Sequence, residues 1–279
     1  VLKKSCRQTD FLARIGGDEF VIVLPRTSEE EGEQVGNRIR SNLDLYNVKD
    51  PSLPMSLSLG IATAETRKNF LHETYKRADN LMCRAKLSKD KGSRSQMVNT
   101  LMAALEERDY ITEGHGQRLS HLCQRIGERI GLSCRQLGDL VLLSRVHDLG
   151  KVATPDGILF KEGSLTQEEW EIMKEHPRTG YRIALASPDL SGIASLILQH
   201  HERWDGSGYP LGIKGEEIPV ECRILAIVDA YDAMTNDRPY RNALTKEEAV
   251  EELKRWAGMQ FDPYLVEIFL EVLKEEGEF

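Results

Sequence analysis

Histidines and aspartates recur along residues 115–229 in a pattern that an ordinary core does not need: His115, then His147-Asp148, His176, His200-His201 and Asp229. The steps between them, 32, 28, 24 and 28 residues, each match about one helix plus its connection. Residues so spaced can converge in the middle of a helical bundle, as in helical di-metal proteins. Five imidazoles and two carboxylates are enough for two cations, with Asp148 able to bridge them. Nitrogen and oxygen donors without thiolate favour Fe, Mn or Ni, with Zn less specific. Two metals ~3.5–4 Å apart acidify a bridging water and clamp the oxygens of a phosphoryl group. Each piece alone is weak: a His-Asp pair occurs by chance, and His200-His201 could be a core histidine beside a surface one. The ordered set is the signal, because burying adjacent histidines without partners is costly. His72 and His121 fit no pattern and read as surface or ordinary satisfied side chains.

The surrounding periodicity fits helices there. Leu119, Leu122, Ile126 and Ile130 form a stripe ended by Gly131, in the position of a C′ glycine. Leu137, Leu140, Val141 and Val146 lead into His147, and Leu196, Ile197 and His200 share a face. Thr166–Glu169 and Thr245–Glu248 read as capping boxes. Leu101, Ala104, Leu105 and Arg108 start a further helix. After His201 the segment ERWDGSGYPLGIKGEEIP, rich in Gly and Pro, makes a loop of about 16 residues, long for a plain connection.

Before residue 95 the texture is mixed α/β. Phe20–Leu24 is a short apolar run stopped by Pro25, and Met55, Leu57, Leu59 and Ile61 alternate with small residues as in a strand. Ser28–Glu31 reads as a capping box for a helix carrying Val35, Ile39 and Leu43, and Leu71, Tyr75, Ala78, Met82 and Ala85 mark another. The charged segment KLSKDKGSRS looks like a boundary. The expected domains are thus 1–94 and 95–279, a length that suits two domains.

Composition closes off other classes. Apolar residues at 40% and charged residues at 29% describe a folded, soluble chain. No apolar run approaches the ~20 residues of a membrane span. A net charge of −8 disfavours a nucleic-acid polymer as partner. Five scattered cysteines, Cys6, Cys83, Cys123, Cys134 and Cys222, without C-x-x-C, fit a reducing cytoplasm and argue against a thiolate zinc site. The start at Val1 carries no apolar leader and no initiator Met, as expected of a piece of a longer cytoplasmic protein.

The ordered set H…HD…H…HH…D with GSGYP after the double histidine resembles the HD-GYP family of the HD phosphohydrolase superfamily. HGQRLS, VHDLGK, EWEIMKEHPRTGYRI, HHERWDGSGYP, ILAIVDAYDAMTNDRPYR and QFDP carry the likeness over about residues 97–279. It implies a mainly α fold, a helical bundle with a two-metal centre. The implied activity is hydrolysis of cyclic di-GMP to pGpG by a metal-bridged hydroxide, with a second cut to GMP left open. One metal would take His115, His147, Asp148 and Asp229, and the other Asp148, His176, His200 and His201. Fe or Mn would fill them, with Ni, Zn or Mg as alternatives. Lys151 matches the lysine that contacts the scissile phosphate, where it stabilises charge or helps protonate the leaving oxygen. Tyr209, Arg238 and Arg241 match nucleotide-contacting positions. Some family members serve a third metal from a Glu four residues before the first histidine. Ile111 stands there and Glu113 is at the wrong offset, so a dinuclear centre is expected.

Arg14-Ile15-Gly16-Gly17-Asp18-Glu19-Phe20 resembles the signature of GGDEF diguanylate cyclases, and SLSLGIATA and ADNLMCRAK match that family's later strand and helix. Arg7 and Asp10 match its inhibitory product-binding R-x-x-D. The family's metal-binding first strand has no counterpart here, so a partial α/β domain is expected, without cyclase activity, leaving Asp18 and Glu19 short of a metal partner. Exposed strand edges and low intrinsic stability should follow. GGDEF-domain proteins or a second copy of the chain are the partner candidates. The rival readings are a phosphodiesterase for 3′,3′-cyclic GMP-AMP, a non-catalytic cyclic di-GMP receptor, and a general HD nucleotidase.

Overall fold

The computed structural model describes the chain except residues 17–18, 50, 53, 65–69, 94–113, 162, 238–242 and 278–279, and except the side chains of 70 and 87–93. It divides into two compact units, Val1–Ser93 and Arg94–Phe279.

In the first unit a short helix α1 (Leu2–Ser5) precedes strands β1 (Phe11–Gly16) and β2 (Glu19–Val23), and helices α2 (Glu29–Lys49) and α3 (Phe70–Ser93) follow. The strands pair antiparallel from Phe11↔Val23 to Gly16↔Glu19, with an irregularity between Arg14 and Gly16. The Ser28 box forms as expected: Glu31 N donates to Ser28 Oγ at 3.3 Å, and Ser28 N to the Glu31 carboxylate at 3.0 Å. Val35, Ile39 and Leu43 of α2 are buried. Phe11, Ile15, Phe20 and Val23 stay exposed on the hairpin. The strand expected over Met55–Ile61 is absent from the described sheet. The alternation is there, but a strand needs a neighbour to accept its ladder, and the one described sheet is the β1–β2 pair. Ile61 seats instead against Gly36 of α2. The charged boundary segment continues α3 as far as Ser93.

The second unit is helical: α4 (His115–Ile130), α5 (Cys134–Val146), a 3-10 turn (Leu149–Ala153), α6 (Asp156–Leu159), α7 (Gln167–Met173), α8 (His176–Ala186), α9 (Ala194–Gln199), α10 (Val220–Thr235), α11 (Lys246–Arg255) and α12 (Pro263–Glu275). The local signals act where the sequence places them. Gly131 closes α4 at φ 76°, its N–H bonded to Glu128 O, while Leu132 N reaches Gly127 O. Thr166 and Thr245 complete capping boxes with Glu169 and Glu248. The helix expected from Leu101 lies outside the described residues. One apolar core joins Leu119 and Ile126 of α4, Leu140 and Leu143 of α5, Ile197 of α9, Ile224 and Val228 of α10, and Phe269 of α12. At ~1.5–3 kcal/mol for each fully buried large side chain, this packing holds the helix ends in register. No helix among the described residues is long and apolar enough to cross a membrane.

Candidate metal centre

Helix ends deliver most of the histidines. His115 opens α4, His147 caps the C-terminus of α5, His176 opens α8 just before Pro177, and His200 caps α9 with His201 next. Asp229 comes from within α10. Their donor atoms fall into two groups, Asp148 with His176, His200 and His201, and His115 with His147 and Asp229; within each group the atoms lie no more than 4.8 Å apart. Asp148 faces both. Its Oδ1 is 3.3 Å from His176 Nε2 and 3.9 Å from His200 Nε2, and its Oδ2 is 3.3 Å from His147 Nε2.

The rings are pre-set for ligation. Nδ1 of His147, His176 and His200 faces the carbonyl oxygens of Ser144, Met173 and Ile197 at 3.2, 2.8 and 2.7 Å. A carbonyl oxygen only accepts, so each Nδ1 carries the proton and a neutral ring turns its Nε2 lone pair inward. His115 Nδ1 does the same with Asp232 Oδ2 at 2.7 Å. Inward-facing Nε2 atoms then crowd: His176 lies 3.3 Å from His200 and 3.1 Å from His201. His147 Nε2 and Asp148 Oδ1 are buried without a hydrogen bond among the described residues. Lone pairs packed against one another around an unsatisfied carboxylate oxygen fit a cation between them. The all-nitrogen-and-oxygen donor set suits a divalent metal, and no cysteine belongs to either group.

The charges agree with the crowding. His147 is the exception: burial would lower it, but the adjacent Asp148 pushes it up to about 9, so without a cation its Nε2 is protonated too, and a bound metal would displace that proton. Burial would raise Asp148, yet Lys151 and His147 hold it well below the usual carboxylate range. Burial and the neighbouring rings keep His200 far below an ordinary histidine and bring His201 to about 3. Lys151 Nζ sits 2.9 Å from Asp148 Oδ2.

Close backbone approach makes this geometry. A Cβ on Gly150 would lie 1.8 Å from His176 O and 2.6 Å from Gly180 N, so the turn bearing Asp148 can touch α8 only through glycine. The loop after His201 is seated likewise. A Cβ on Gly208 would meet Arg203 N at 2.3 Å and His201 O at 2.6 Å. Tyr209 N donates to His201 O at 3.2 Å, and the Tyr209 ring lies over His201 at 4.9 Å and 31°. Burial pushes the Tyr209 hydroxyl up, with Asp148 adding to it, so it remains an O–H donor.

Two acidic residues were missed in the sequence. Asp232 is buried, accepts from His115 Nδ1 and both Nε and a terminal nitrogen of Arg118, and so fixes the His115 ring. Its i, i+3 spacing from Asp229 on one helix was the available signal. Glu202, also buried, accepts from the backbone N–H groups of Leu211 (2.7 Å) and Gly212 (3.0 Å) and pins the loop; nothing in its spacing marks it.

The other expected residues separate from this centre. Arg238 and Arg241, like Ile111, Glu113, Gly17 and Asp18, lie outside the described residues. Arg7 and Asp10 form a turn in which Arg7 N donates to Asp10 Oδ2 at 2.6 Å, while the Arg7 guanidinium faces Glu31 at 3.9 Å. Gly16 ends β1 and Glu19 begins β2, exposed. His121 is exposed and paired with Glu276 at 2.9 Å.

The family profile described as HD domain matches residues 99–265, and that of the diguanylate cyclase GGDEF domain matches residues 1–92. A protein named cyclic di-GMP phosphodiesterase in Thermotoga maritima is 43% identical over 64% of this chain and 50% of its own length. The cyclic di-GMP phosphodiesterase response regulator RpfG of Xanthomonas campestris is 40% identical over 63% of this chain and 47% of its own. A 3′3′-cGAMP-specific phosphodiesterase 2 of Vibrio cholerae is 41% identical over 63% and 34%. The chain spans about half the length or less of these curated relatives.

Proposed function

Given that the chain belongs to the HD domain family, we propose that residues 95–279 form a phosphodiesterase domain that hydrolyses cyclic di-GMP to pGpG. The observation that carries this reading is the pair of ligand groups sharing Asp148, with four imidazoles oriented by acceptors on their outer nitrogens. The relatives that bear the activity in their names support the substrate. His115, His147, Asp148 and Asp229 would hold one cation, and Asp148, His176, His200 and His201 the other, with Fe or Mn favoured over Ni, Zn or Mg. When bound, such a pair supplies Lewis acidity at a phosphate oxygen and makes water acidic enough to react near neutral pH.

The chain's own side chains do the rest. Lys151, with its ammonium 2.9 Å from Asp148, provides a positive charge where a departing ribose oxygen needs stabilising or a proton. Tyr209 closes one wall and offers an O–H donor. Arg238 and Arg241 would bind phosphate or guanine edges by their planar forks. Ile111 cannot ligate, which favours two metals and arrest at pGpG. The residues 1–94, a GGDEF-like region, would act with this domain as a regulator, through Arg7 and Asp10, in a cytoplasmic signalling protein. A second specificity, 3′,3′-cyclic GMP-AMP, is favoured by the Vibrio cholerae relative.

The test is hydrolysis of each cyclic dinucleotide by the purified chain loaded with Mn or ferrous Fe, with products separated and metal counted. Turnover of cyclic di-GMP with about two metals per chain, lost in Asp148→Ala along with metal, is expected. A filled metal site that turns over neither dinucleotide would refute the proposal.

A further inference from the structure

An aromatic wall runs outward from the metal centre. The rings of His200 and His201 lie 4.1 Å apart at a 42° tilt, those of His201 and Tyr209 4.9 Å apart at 31°, and Tyr209 meets Trp170 edge-on at 6.3 Å and 78°. The wall ends in Trp170, which is 42% exposed. The helix that carries it, α7, buries none of its seven residues. It is held by the Thr166–Glu169 capping box and by a Lys161–Glu169 ion pair at 2.5 Å. Core packing therefore does not account for the tryptophan. Trp170 is also only six residues before His176, so its position is tied to the ligand group by less than two helical turns.

A large flat apolar surface at the rim of an anion-hydrolysing site suits the non-ionic part of a nucleotide. Resting on the phosphodiesterase reading, we infer that Trp170 is a substrate-binding residue that stacks one purine base of the cyclic dinucleotide. Tyr209 links that platform to the metal groups. Stacking uses the π-face that guanine and adenine share, so Trp170 contributes affinity without choosing between them. Selection between the two dinucleotides then falls to hydrogen bonds elsewhere.

The experiment measures kcat, KM and bound metal for wild type, Trp170→Ala and Trp170→Phe, each loaded with Mn, on cyclic di-GMP and on 3′,3′-cyclic GMP-AMP. In the Ala variant KM should rise on the order of ten-fold, by the same factor for every dinucleotide that wild type turns over, with kcat and metal count unchanged. The Phe variant, which keeps a ring, should recover to within roughly three-fold. An unchanged KM in the Ala variant, beside normal wild-type turnover, overturns the inference and leaves the phosphodiesterase reading standing. Loss of metal or of thermal stability in that variant also overturns it, because the ring would then be holding the fold. No turnover by a fully metallated wild type removes both.

Discussion

Gly150→Ala should damage the metal centre without touching a ligand. Gly150 does not adopt a positive φ, so alanine brings no dihedral strain. The whole effect is steric: the new methyl would sit 1.8 Å from His176 O, 2.7 Å from His176 C and 2.6 Å from Gly180 N, all backbone atoms that no rotamer can move aside. Ordinary non-bonded contact needs about 3.5 Å, so the Asp148 turn and α8 must part by roughly 1.5 Å. Asp148 and His176 ride on those two backbones with 3.3 Å between their donor atoms. Overpacking of this kind costs ~1–3 kcal/mol, and a unit of this size loses about 2–4 °C in Tm per kcal/mol. The expected result is a Tm lowered by about 2–12 °C in chelator. After loading, metal bound by the His176 group should be weakened, and turnover should fall on the order of 100-fold, as for a 1 Å misplacement of reacting groups. Gly157→Ala, whose methyl would meet nothing within 4 Å, is the matched control. A Gly150→Ala protein with wild-type Tm and two tightly held metals would show that the glycine contact does not set the geometry.

Asp232→Ala frees the His115 ring by removing the carboxylate that His115 shares with Arg118. Affinity for one of two metals should drop ~10–100-fold in a metal titration followed by elemental analysis, and two unchanged sites would contradict this. Glu202→Ala deprives the N–H groups of Leu211 and Gly212 of their acceptor; both residues are exposed, so water can take its place and each lost bond costs only ~0.5–1.5 kcal/mol. Faster proteolysis of the 203–218 loop and a raised KM should result, with partial rescue by Gln. A loop as resistant as wild type would exclude the latch. Saturating Mn at ~100 times its Kd should raise wild-type stability by about 2.7 kcal/mol, read as a Tm shift absent from Asp148→Ala. Equal Tm values with and without metal would mean that the groups bind no cation.

Legibility in the sequence followed how local each cause is. The Ser28, Thr166 and Thr245 boxes and the Gly131 terminus depend on three or four neighbouring residues, and all appear in the structure. The Met55–Ile61 alternation is equally local, yet a strand is completed only by its neighbour, and no described segment provides one. An alternating pattern therefore reports which side chains could share a face, not whether a sheet exists to receive them.

The histidines and aspartates that come together were legible because each is chemically conspicuous and a helix-length apart, while the parts that aim them were not. Backbone acceptors at Ser144, Met173 and Ile197 fix three rings, and a carbonyl has no residue type to betray it. Gly150 looks like any glycine until α8 is laid against it from 26 residues away. Asp232 and Glu202 were hidden by standing next to better-known chemistry, one three residues after Asp229 and the other directly after His201. In both cases the missed carboxylate faces an N–H rather than a metal group. Buried carboxylates are costly unless such donors satisfy them. An acid beside an expected ligand is thus worth reading as that ligand's support, and here this reading assigns Asp232 to His115 and Glu202 to the loop that carries Tyr209.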